Sequence, residues 1–375
     1  MLSEKQVSFF DWKALYAERA ADYARILNET AAAGGFILQA AVDAFEAALA
    51  EYLGVRHAIG LSDCTNAMLL GLRASKLKPG DEVIMPAHGF IAAAQSIHHA
   101  GGIPIPVELS EKDGLISPNA IQAAITPRTR AIMVIHLNGR LCEMDAVRDI
   151  AGKCGLAIYE DAAQALGATL DGRLAGAFGD WAAFSFYPSK TLGCFGDAGA
   201  LVTNDDALAT TVRAMRNHGA GCDKLIGAEC EVWGTHARID NIHAAILAYK
   251  LTSYDETIAR RRAIAGRYDD AFAGIEALTP PPPPDAGGRH FDIFQNYEIR
   301  CDQRDDLRAY LAENGVATIV QWGGVGLHQF RNLGFRQRLT RTERYLSRSL
   351  LLPMNHVLTD AQVSLVVDGM SGFFA

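Results

Sequence analysis

Lys190 and Asp161 are the two residues whose types and spacing most directly indicate chemistry. Lys190 lies in the segment Ser185-Phe-Tyr-Pro-Ser-Lys190, 29 positions after Asp161, and each follows an apolar run. A lysine amine forms a Schiff base with an aldehyde, and a carboxylate keeps a pyridine nitrogen protonated so that the ring accepts electrons. The pair therefore indicates a site for pyridoxal phosphate. Taken singly, each residue is more often an ordinary loop lysine or strand-end aspartate, so the prediction depends on further residues.

Two polar residues near this pair fit the same cofactor. A buried aspartate is costly unless an opposite charge accompanies it, and a protonated pyridine nitrogen supplies that charge to Asp161. Gln164, about one helical turn later, is placed to donate to the phenolic oxygen of the cofactor, and the Ser185 hydroxyl to reach its phosphate. Once a substrate amine displaces Lys190, the freed amine serves as general base and acid for a 1,3-proton shift.

A second candidate phosphate site is the segment Leu61-Ser-Asp-Cys64-Thr65-Asn66, which opens a predicted helix. A helix N-terminus offers free backbone N–H groups and the positive end of the helix dipole, so an anionic phosphate fits beside Cys64 and Thr65. The alternative is that Asp63 or Thr65 only caps the helix.

Two aromatic residues follow the second predicted strand, in Pro86-Ala-His88-Gly-Phe90. Ligands of open α/β sheets bind at the carboxyl ends of strands, so one of these rings is placed to stack on the cofactor. The alternative is that Phe90 belongs to the core and His88 is a satisfied polar residue.

The elements that position these residues alternate between short apolar runs and helical patterns from about residue 56 to 210. Such alternation is typical of a mainly parallel sheet covered by helices. Helix signals include Ser117-Pro118, an N-cap with proline at the first helical position, and the amphipathic pattern from Glu143 to Lys153. The predicted strands cover residues 57–61, 82–85, 103–107, 131–136, 157–159, 182–186 and 200–203.

A smaller α/β unit is predicted after this region. The pattern from Arg238 to about Tyr268 predicts one long helix, and the proline-rich stretch Pro280 to Gly288 predicts a surface loop. We expect a large domain at 1–250, which includes an N-terminal helical segment, and a small domain at 251–375. Segments that suggest the small domain are Phe294 to Arg300, Leu307 to Asn314, Ala317 to Gln321 and a final helix from about Asp360.

Composition narrows the possible classes. The 375 residues are enough for two or three domains. The net charge of −8, without a basic run interleaved with aromatics, argues against a nucleic-acid partner. Seven cysteines contain no C-x-x-C pair, which argues against a disulfide framework or a zinc site. Charged residues throughout the first thirty positions, and no later apolar run long enough for a membrane, make the cytoplasm the expected location.

Ordered motifs along nearly the whole chain resemble the DegT/StrS-type aminotransferases, pyridoxal phosphate enzymes that aminate keto sugars, usually on nucleotide carriers. The resemblance implies the aspartate aminotransferase-like fold (fold type I), with a large, mainly parallel seven-stranded sheet and a smaller C-terminal α/β domain. The motifs are Val42 to Tyr52, Lys78-Pro-Gly80, Met144-Asp145, Tyr159-Glu-Asp161-Ala-Ala-Gln164-Ala, Phe184-Ser185-Phe-Tyr-Pro-Ser-Lys190-Thr-Leu-Gly, Gly196-Asp-Ala-Gly199-Ala, Arg238-Ile-Asp240 and Leu352-Pro353-Met354.

The resemblance also implies roles, partners and substrates. It implies a homodimer with active sites at the subunit interface, L-glutamate as the amino donor and a keto sugar as the acceptor. It implies Lys190 as the Schiff-base lysine, with the remaining cofactor contacts supplied by Asp161 at the ring nitrogen, Gln164 at the ring oxygen, Phe90 on the ring, and Cys64, Thr65 and Ser185 around the phosphate.

Three departures from the family pattern concern the cofactor and the substrate. Asp63-Cys64-Thr65 stands where Ser-Gly-Thr is common, and His236 stands where an asparagine usually reaches the neighbouring subunit's phosphate. The family's His-Tyr-Pro stretch is replaced by Val320-Gln321-Trp322-Gly-Gly, and His328 keeps the expected identity. Gln321, Trp322 and His328, together with His88, are the candidate substrate residues. The alternative for Trp322 is simple packing under the small domain.

The same residues also bear on three alternative functions. Dehydratases among the relatives have histidine in place of the lysine, so Lys190 argues against that class. A dehydrogenase would need Gly-x-Gly-x-x-Gly directly after a strand, and the glycines from Gly193 to Gly199 have the wrong spacing. A non-catalytic regulator that binds the cofactor as a signal is the remaining alternative, and Asp161, Gln164 and Lys190 together argue against it.

Overall fold

The computed structural model of the chain describes residues 6–220, 229–283 and 288–375. Strands and helices alternate through the first half, and helices dominate the second. The α-helices are α1 (Trp12–Ala17), α2 (Ala20–Ala32), α3 (Ala40–Leu53), α4 (Cys64–Ala74), α5 (Ile91–His99), α6 (Pro118–Ala124), α7 (Met144–Cys154), α8 (Asp206–Arg216), α9 (Asn241–Leu251), α10 (Tyr254–Phe272), α11 (Arg304–Glu313), α12 (Thr340–Arg348) and α13 (Asp360–Phe374). The strands are β1 (His57–Leu61), β2 (Glu82–Pro86), β3 (Ile103–Val107), β4 (Thr129–Ile135), β5 (Ala157–Asp161), β6 (Thr169–Leu170), β7 (Arg173–Leu174), β8 (Trp181–Ser185), β9 (Gly199–Thr203), β10 (His290–Phe291), β11 (Tyr297–Arg300) and β12 (Ser349–Leu352).

A seven-stranded sheet with the order β1-β9-β8-β5-β4-β2-β3 forms the centre of the large unit. All its strands are parallel except β9, which is antiparallel to both neighbours. Every residue of β2 and β9 is buried, as expected for strands covered by helices on both faces. The predicted mainly parallel sheet is therefore confirmed, and each predicted strand lies within two residues of its observed ends.

The direction of the strands explains why the candidate residues meet. Strands β1, β2, β5 and β8 all run the same way, so their carboxyl ends lie at one edge of the sheet. Asp161 is the last residue of β5, and the segments that follow β1, β2 and β8 contain Cys64, Phe90 and Lys190. Ligands bind at this edge in open α/β sheets, because the loops there lie outside the packed core.

The long helix predicted from Arg238 to Tyr268 is wrong in one respect, since two helices, α9 and α10, occupy this stretch. The chain leaves helical geometry at Ser253, whose φ is −124°. The Thr252 hydroxyl donates to the Tyr249 carbonyl at 2.7 Å, a local bond that competes with continuation of the helix. The Thr252 hydroxyl thus favours a break that the apolar periodicity did not show.

Two hydrophobic clusters divide the core along α10. Ile258, near the start of α10, packs with the large sheet, whereas Ile264 and Tyr268 pack with β11, β12, α11 and α13. Strands β11 and β12 pair antiparallel, with Tyr297 opposite Leu352 and Arg300 opposite Ser349. The division into domains at 1–250 and 251–375 stays a prediction, and the clusters place the change of core within α10.

Several predictions fall partly outside the described ranges. Residues 280–283 of the proline-rich stretch form neither helix nor strand, and residues 284–287 and Cys222 lie outside the described residues. The other six cysteines are free thiols. Within the described ranges no helix is long and apolar enough to cross a membrane, and no cluster of side chains suited to a metal ion is found.

Candidate active site

A cavity of about 560 Å³ opens at the carboxyl edge of the large sheet. Its walls come from the segments that follow β1, β2, β5 and β8, together with residues of the small unit and of the N-terminal segment. Nine of the twelve candidate site residues line it, namely Cys64, Thr65, Phe90, Asp161, Gln164, Ser185, Lys190, Gln321 and Trp322.

Lys190 and Asp161 face this cavity from neighbouring strand ends. Burial lowers the pKa of the Lys190 amine, although Asp161 and Cys64 act in the opposite direction. Burial likewise raises the pKa of Asp161. The Ala163 N–H, Lys190 and His136 each act to lower this pKa. Both shifts favour the uncharged forms in the cofactor-free chain. A neutral lysine amine is nucleophilic, and Asp161 needs an opposite charge in the cavity to ionise readily.

The end of β5 that carries Asp161 is held by its neighbour Glu160, whose role was not predicted. The fully buried Glu160 carboxylate accepts backbone N–H bonds from Gly176 and Phe178, each at 2.8 Å, and a bond from His136 Nε2 at 2.9 Å. Burial raises the pKa of Glu160, but these bonds outweigh it and hold the pKa below its ordinary value. The result is a rigid anchor directly beside Asp161.

The N-terminus of α4 forms another wall. Asp63 caps the helix by accepting from the Asn66 N–H at 2.7 Å, so the capping alternative holds for Asp63. The N–H groups of Cys64 and Thr65, the first two residues of α4, have no partner inside the helix and remain suited to an anion. Capping and anion binding therefore use different groups of the same turn.

Gly199 at the start of β9 allows this turn to pack closely on the sheet. A Cβ atom at Gly199 would lie 2.5 Å from the backbone nitrogen of Cys64. Gly199→Ala is therefore expected to displace the turn and to destabilise the fold by about 1–3 kcal/mol, with weaker binding of phosphate-bearing ligands. Thermal unfolding and cofactor titration measure both effects.

Gly152→Ala is the matched control for Gly199→Ala, because a Cβ atom at Gly152 in α7 meets nothing within 4 Å. Alanine replaces a helix-interior glycine there, so an increase in stability of about 0.5–1 kcal/mol is expected. Equal effects of the two substitutions would contradict the assigned role of Gly199.

An aromatic group forms the outer side of the cavity. Phe90 is 54% exposed, and its ring centroid lies 6.1 Å from that of Trp322. Trp322 has a φ of 47°, an unusual value for a bulky residue, and its indole packs edge to face on His88 at 5.5 Å. Phe90 and Trp322 thus present adjacent aromatic surfaces to whatever fills the cavity.

The other three candidates do not line the cavity. His88 is buried behind Trp322, and burial lowers its pKa. His328 is fully buried, with its Nε2 3.1 Å from Glu343 Oε1. His236 is exposed, and its ring lies 5.8 Å from that of His218.

The cavity also contains residues that sequence reasoning missed. Gln295 and Asn296 line it just before β11, and Phe9, Phe10 and Asp197 are also part of the wall. Two amide residues directly before a buried strand were the available signal for Gln295 and Asn296. Nothing in the local pattern of the N-terminal segment indicated that Phe9 and Phe10 reach the site.

These residues fit pyridoxal phosphate. A volume of about 560 Å³ suits a small molecule, for which sites of roughly 300–1,000 Å³ are usual. Within the described residues, the Asp161 carboxylate accepts a single hydrogen bond, from the Ala163 N–H at 3.1 Å, although only 6% of the residue is exposed. A cationic ring nitrogen in the cavity would supply the missing partner.

Comparison with known proteins agrees with this geometry. The model of the DegT/DnrJ/EryC1/StrS aminotransferase family matches residues 18–371. The chain is 37% identical over 370 residues to the dTDP-3-amino-3,4,6-trideoxy-alpha-D-glucose transaminase of Streptomyces venezuelae, with 97% of this chain and 95% of the relative covered. It is also 35% identical over 372 residues to a protein of Geobacillus stearothermophilus named pleiotropic regulatory protein, with 98% of each covered.

Among solved structures, the protein ntda of Bacillus subtilis with bound cofactor PMP superposes with a TM-score of 0.91. The two sequences are 28% identical, with 99% of this chain and 85% of that chain covered. PMP is the aminated form of pyridoxal phosphate, so a close structural neighbour holds the cofactor that the cavity fits. The chain therefore belongs to the DegT/DnrJ/EryC1/StrS aminotransferase family and is a pyridoxal phosphate-dependent aminotransferase.

Proposed function

We propose that the protein transfers the amino group of L-glutamate to a keto sugar carried on a nucleotide, in the biosynthesis of an amino sugar. The observation that carries the proposal is the convergence of Lys190, Asp161 and Gln164 on one cavity. The Streptomyces relative is a transaminase whose name describes a dTDP-linked amino sugar, which supports the substrate class. L-glutamate as donor follows from the resemblance to the family.

Each side chain contributes a defined step. Pyridoxal phosphate, when bound, supplies an aldehyde that takes up the amino group and a ring that accepts electrons. Lys190 would hold the cofactor through its amine and, once displaced, its freed amine would serve as general base and acid for the 1,3-proton shift. Asp161 holds the proton on the ring nitrogen, and Gln164 donates to the ring oxygen.

The phosphate and the ring face have their own partners in this proposal. The backbone N–H groups of Cys64 and Thr65 would donate hydrogen bonds to the phosphate, and the Ser185 hydroxyl would donate another. Phe90 covers the ring and excludes water from its face. The Ser185 hydroxyl oxygen accepts a bond from the Tyr187 N–H at 3.3 Å, a weak contact that leaves the hydroxyl hydrogen available.

Substrate recognition is assigned to Gln321 and Trp322, which line the cavity, with His88 packed against Trp322 and His328 as a further candidate. Trp322 offers a flat apolar surface next to Phe90, which suits the apolar face of a sugar ring. Gln321 lines the cavity, and its side chain also interacts with the buried His88 ring. A sugar hydroxyl in the cavity is a suitable partner for an amide side chain.

A homodimer in the cytoplasm completes the proposal. Trp233 is 95% exposed and lies three residues before His236. Exposure of the apolar Trp233 indole to water is unfavourable. A second subunit that covers this segment would bury the indole and bring His236 near the cofactor phosphate of that subunit. Six free thiols are consistent with a reducing compartment. Sedimentation analysis tests the dimer.

His236→Ala is expected to weaken cofactor binding about tenfold or more, because one charge-assisted hydrogen bond to a phosphate is lost. Cofactor titration followed by absorbance measures the change. His99→Ala, a substitution of an exposed histidine on α5, is the control and is expected to leave affinity unchanged. Unchanged affinity in His236→Ala would remove the proposed contact.

The test of function is a screen of nucleotide-linked 3-keto and 4-keto sugars with nitrogen-15-labelled L-glutamate, followed by mass spectrometry. Label in a sugar amine would establish the transfer and the position of the ketone. A coloured protein that transfers no label to any keto sugar would contradict the proposal. If the protein also gave no spectral response to any amino donor, the result would favour the regulatory role that the name of the Geobacillus relative suggests.

A further inference from the structure

Gln295 forms hydrogen bonds with both sequence neighbours of Lys190. Its side-chain Oε1 accepts from the Thr191 N–H and from the Thr191 hydroxyl, each at 2.7 Å. Its Nε2 donates to the Ser189 carbonyl at 2.8 Å. Gln295 is 4% exposed, so these bonds are shielded from competing water. One side chain thereby fixes the backbone on each side of the lysine.

Asn296, the next residue, reaches the other side of the cavity and holds Gln164. Its Nδ2 lies 3.4 Å from Gln164 Oε1 and 2.8 Å from Asn138 Oδ1. The backbone N–H of Asn138 also donates to Gln164 Oε1, at 2.8 Å. Asn138 has a φ of 59°, which asparagine tolerates better than most residues. With Oε1 occupied by donors, the Gln164 amide is oriented so that Nε2 is the group free to donate.

The backbone that carries this pair is itself held rigidly. The buried Arg261 Nη1 donates to the carbonyls of Phe294 and Met354, each at 3.0 Å, and to the Gln295 carbonyl at 3.2 Å. On the other side, a Cβ atom at Gly139 would lie 2.8 Å from the Gln295 nitrogen, so the two segments pack in close contact. The position of the two amides is therefore fixed by α10 and by the turn after β4.

We propose that Gln295 and Asn296 are positioning residues that hold Lys190 and Gln164 at a fixed mutual geometry. One dipeptide reaches both groups, because the Gln295 side chain bonds to Ser189 and Thr191 while the Asn296 side chain reaches Gln164. The proposal rests on the proposed function for its effect on catalysis. The hydrogen bonds of Gln295 join groups of the protein itself, so part of the proposal is testable in the cofactor-free protein.

The test uses Gln295→Met and Asn296→Leu, which nearly conserve volume and remove the hydrogen bonds. In cofactor-free Gln295→Met, hydrogen exchange of the Thr191 amide is expected to accelerate at least tenfold, because its acceptor is lost. In the loaded enzyme, we expect kcat to fall about 10- to 100-fold with a smaller change in KM, as for other partners that orient catalytic groups.

Asn296→Leu has a spectroscopic signature that a merely structural role would not produce. A hydrogen-bond donor to the ring oxygen of the cofactor stabilises the negative charge on that oxygen. A misoriented Gln164 would stabilise that charge less. The midpoint pH of the colour change of the bound cofactor is therefore expected to rise by about half a unit. If Asn296→Leu does not fold, Asn296→Asp removes the same donor and is predicted to raise the midpoint as well.

Matched controls are Gln303→Met and Asn314→Leu, which make the same changes at exposed positions flanking α11. Both are expected to leave Thr191 exchange and the spectrum unchanged. Wild-type exchange rates in Gln295→Met, or a wild-type midpoint in Asn296→Leu, would overturn the proposal. A wild-type protein that binds no cofactor would instead overturn the proposed function, and the exchange experiment would still decide the role of Gln295.

Discussion

Replacement of Lys190 by alanine is expected to lower transamination by about 10⁴-fold or more. The substitution removes both the amine that holds the cofactor and the group that moves the proton, and acid–base catalysis alone contributes about 10²–10⁴-fold. The lowered pKa of Lys190 makes the neutral, nucleophilic amine available at lower pH than for an exposed lysine. The measurement is the amount of labelled amino sugar formed per minute by purified Lys190→Ala.

The control for Lys190→Ala is Lys153→Ala, which removes a lysine paired with Asp149 on the surface of α7. An exposed ion pair contributes at most about 1 kcal/mol, so activity is expected to remain at the wild-type level. Absorbance of the bound cofactor reports whether Lys190→Ala still takes it up without a covalent link. Substantial turnover by Lys190→Ala would show that another group carries the amine chemistry.

Asp161→Asn is expected to lower kcat about 10²- to 10³-fold, similar to the loss of one electrostatic partner in other active sites. Asparagine has nearly the same shape and still accepts the Ala163 N–H, but it no longer favours a protonated ring nitrogen. Asp149→Asn, at an exposed position, is the control and should leave kcat unchanged. Wild-type kcat in Asp161→Asn would contradict the role of Asp161.

The same substitution is expected to stabilise the cofactor-free protein at neutral pH. Burial raises the folded-state pKa of Asp161, so the folded chain binds more protons than the unfolded chain between the ordinary and raised values. Stability therefore falls as pH rises through this window, and the ionised carboxylate is a penalty at pH 7. Melting temperatures of the two proteins should converge as pH falls below the ordinary carboxyl range. A less stable Asp161→Asn at pH 7 would contradict this.

Stability and function thus oppose each other at Asp161, which is common where a site needs a buried charge. Addition of cofactor should reverse the order, because the ring nitrogen supplies the charge partner to wild-type Asp161 alone. The increase in melting temperature on cofactor addition is expected to be larger for the wild type than for Asp161→Asn.

The sheet and its ligand-binding edge were predictable from local signals. Apolar runs such as Ile103–Val107 are bounded by turn residues, and their order along the chain determines which loops share an edge. The lysine, aspartate and glutamine of the site lie within two motifs close to those strands. Their meeting in one cavity follows from the parallel direction of β5 and β8.

Other features depend on contacts that no local pattern contains. Gln295 bonds to Thr191 across 104 positions, and Asn296 to Gln164 across 132. Their amide side chains are as suitable for an exposed turn as for a buried site, so only the packing of Arg261 and Gly139 around them defines their role. The left-handed backbone of Trp322 is likewise imposed by its surroundings, because the intrinsic preference of tryptophan opposes it.

The break between α9 and α10 is a further difference between the structure and the prediction from the sequence. Apolar periodicity continues across Thr252 and Ser253, so the pattern of burial alone favours one helix. The Thr252 hydroxyl favours the break through one local hydrogen bond of about 1 kcal/mol, a small energy that is sufficient where helix propensity is already marginal.

The most direct test of the account is a single-turnover reaction of the purified, cofactor-loaded protein with L-glutamate and no sugar. We predict that the visible absorbance of the cofactor bound at Lys190 changes to that of the pyridoxamine form. The reaction should release one molecule of 2-oxoglutarate per bound cofactor and should reverse on addition of 2-oxoglutarate. Unchanged absorbance and no 2-oxoglutarate, with every amino donor tried, would contradict the account.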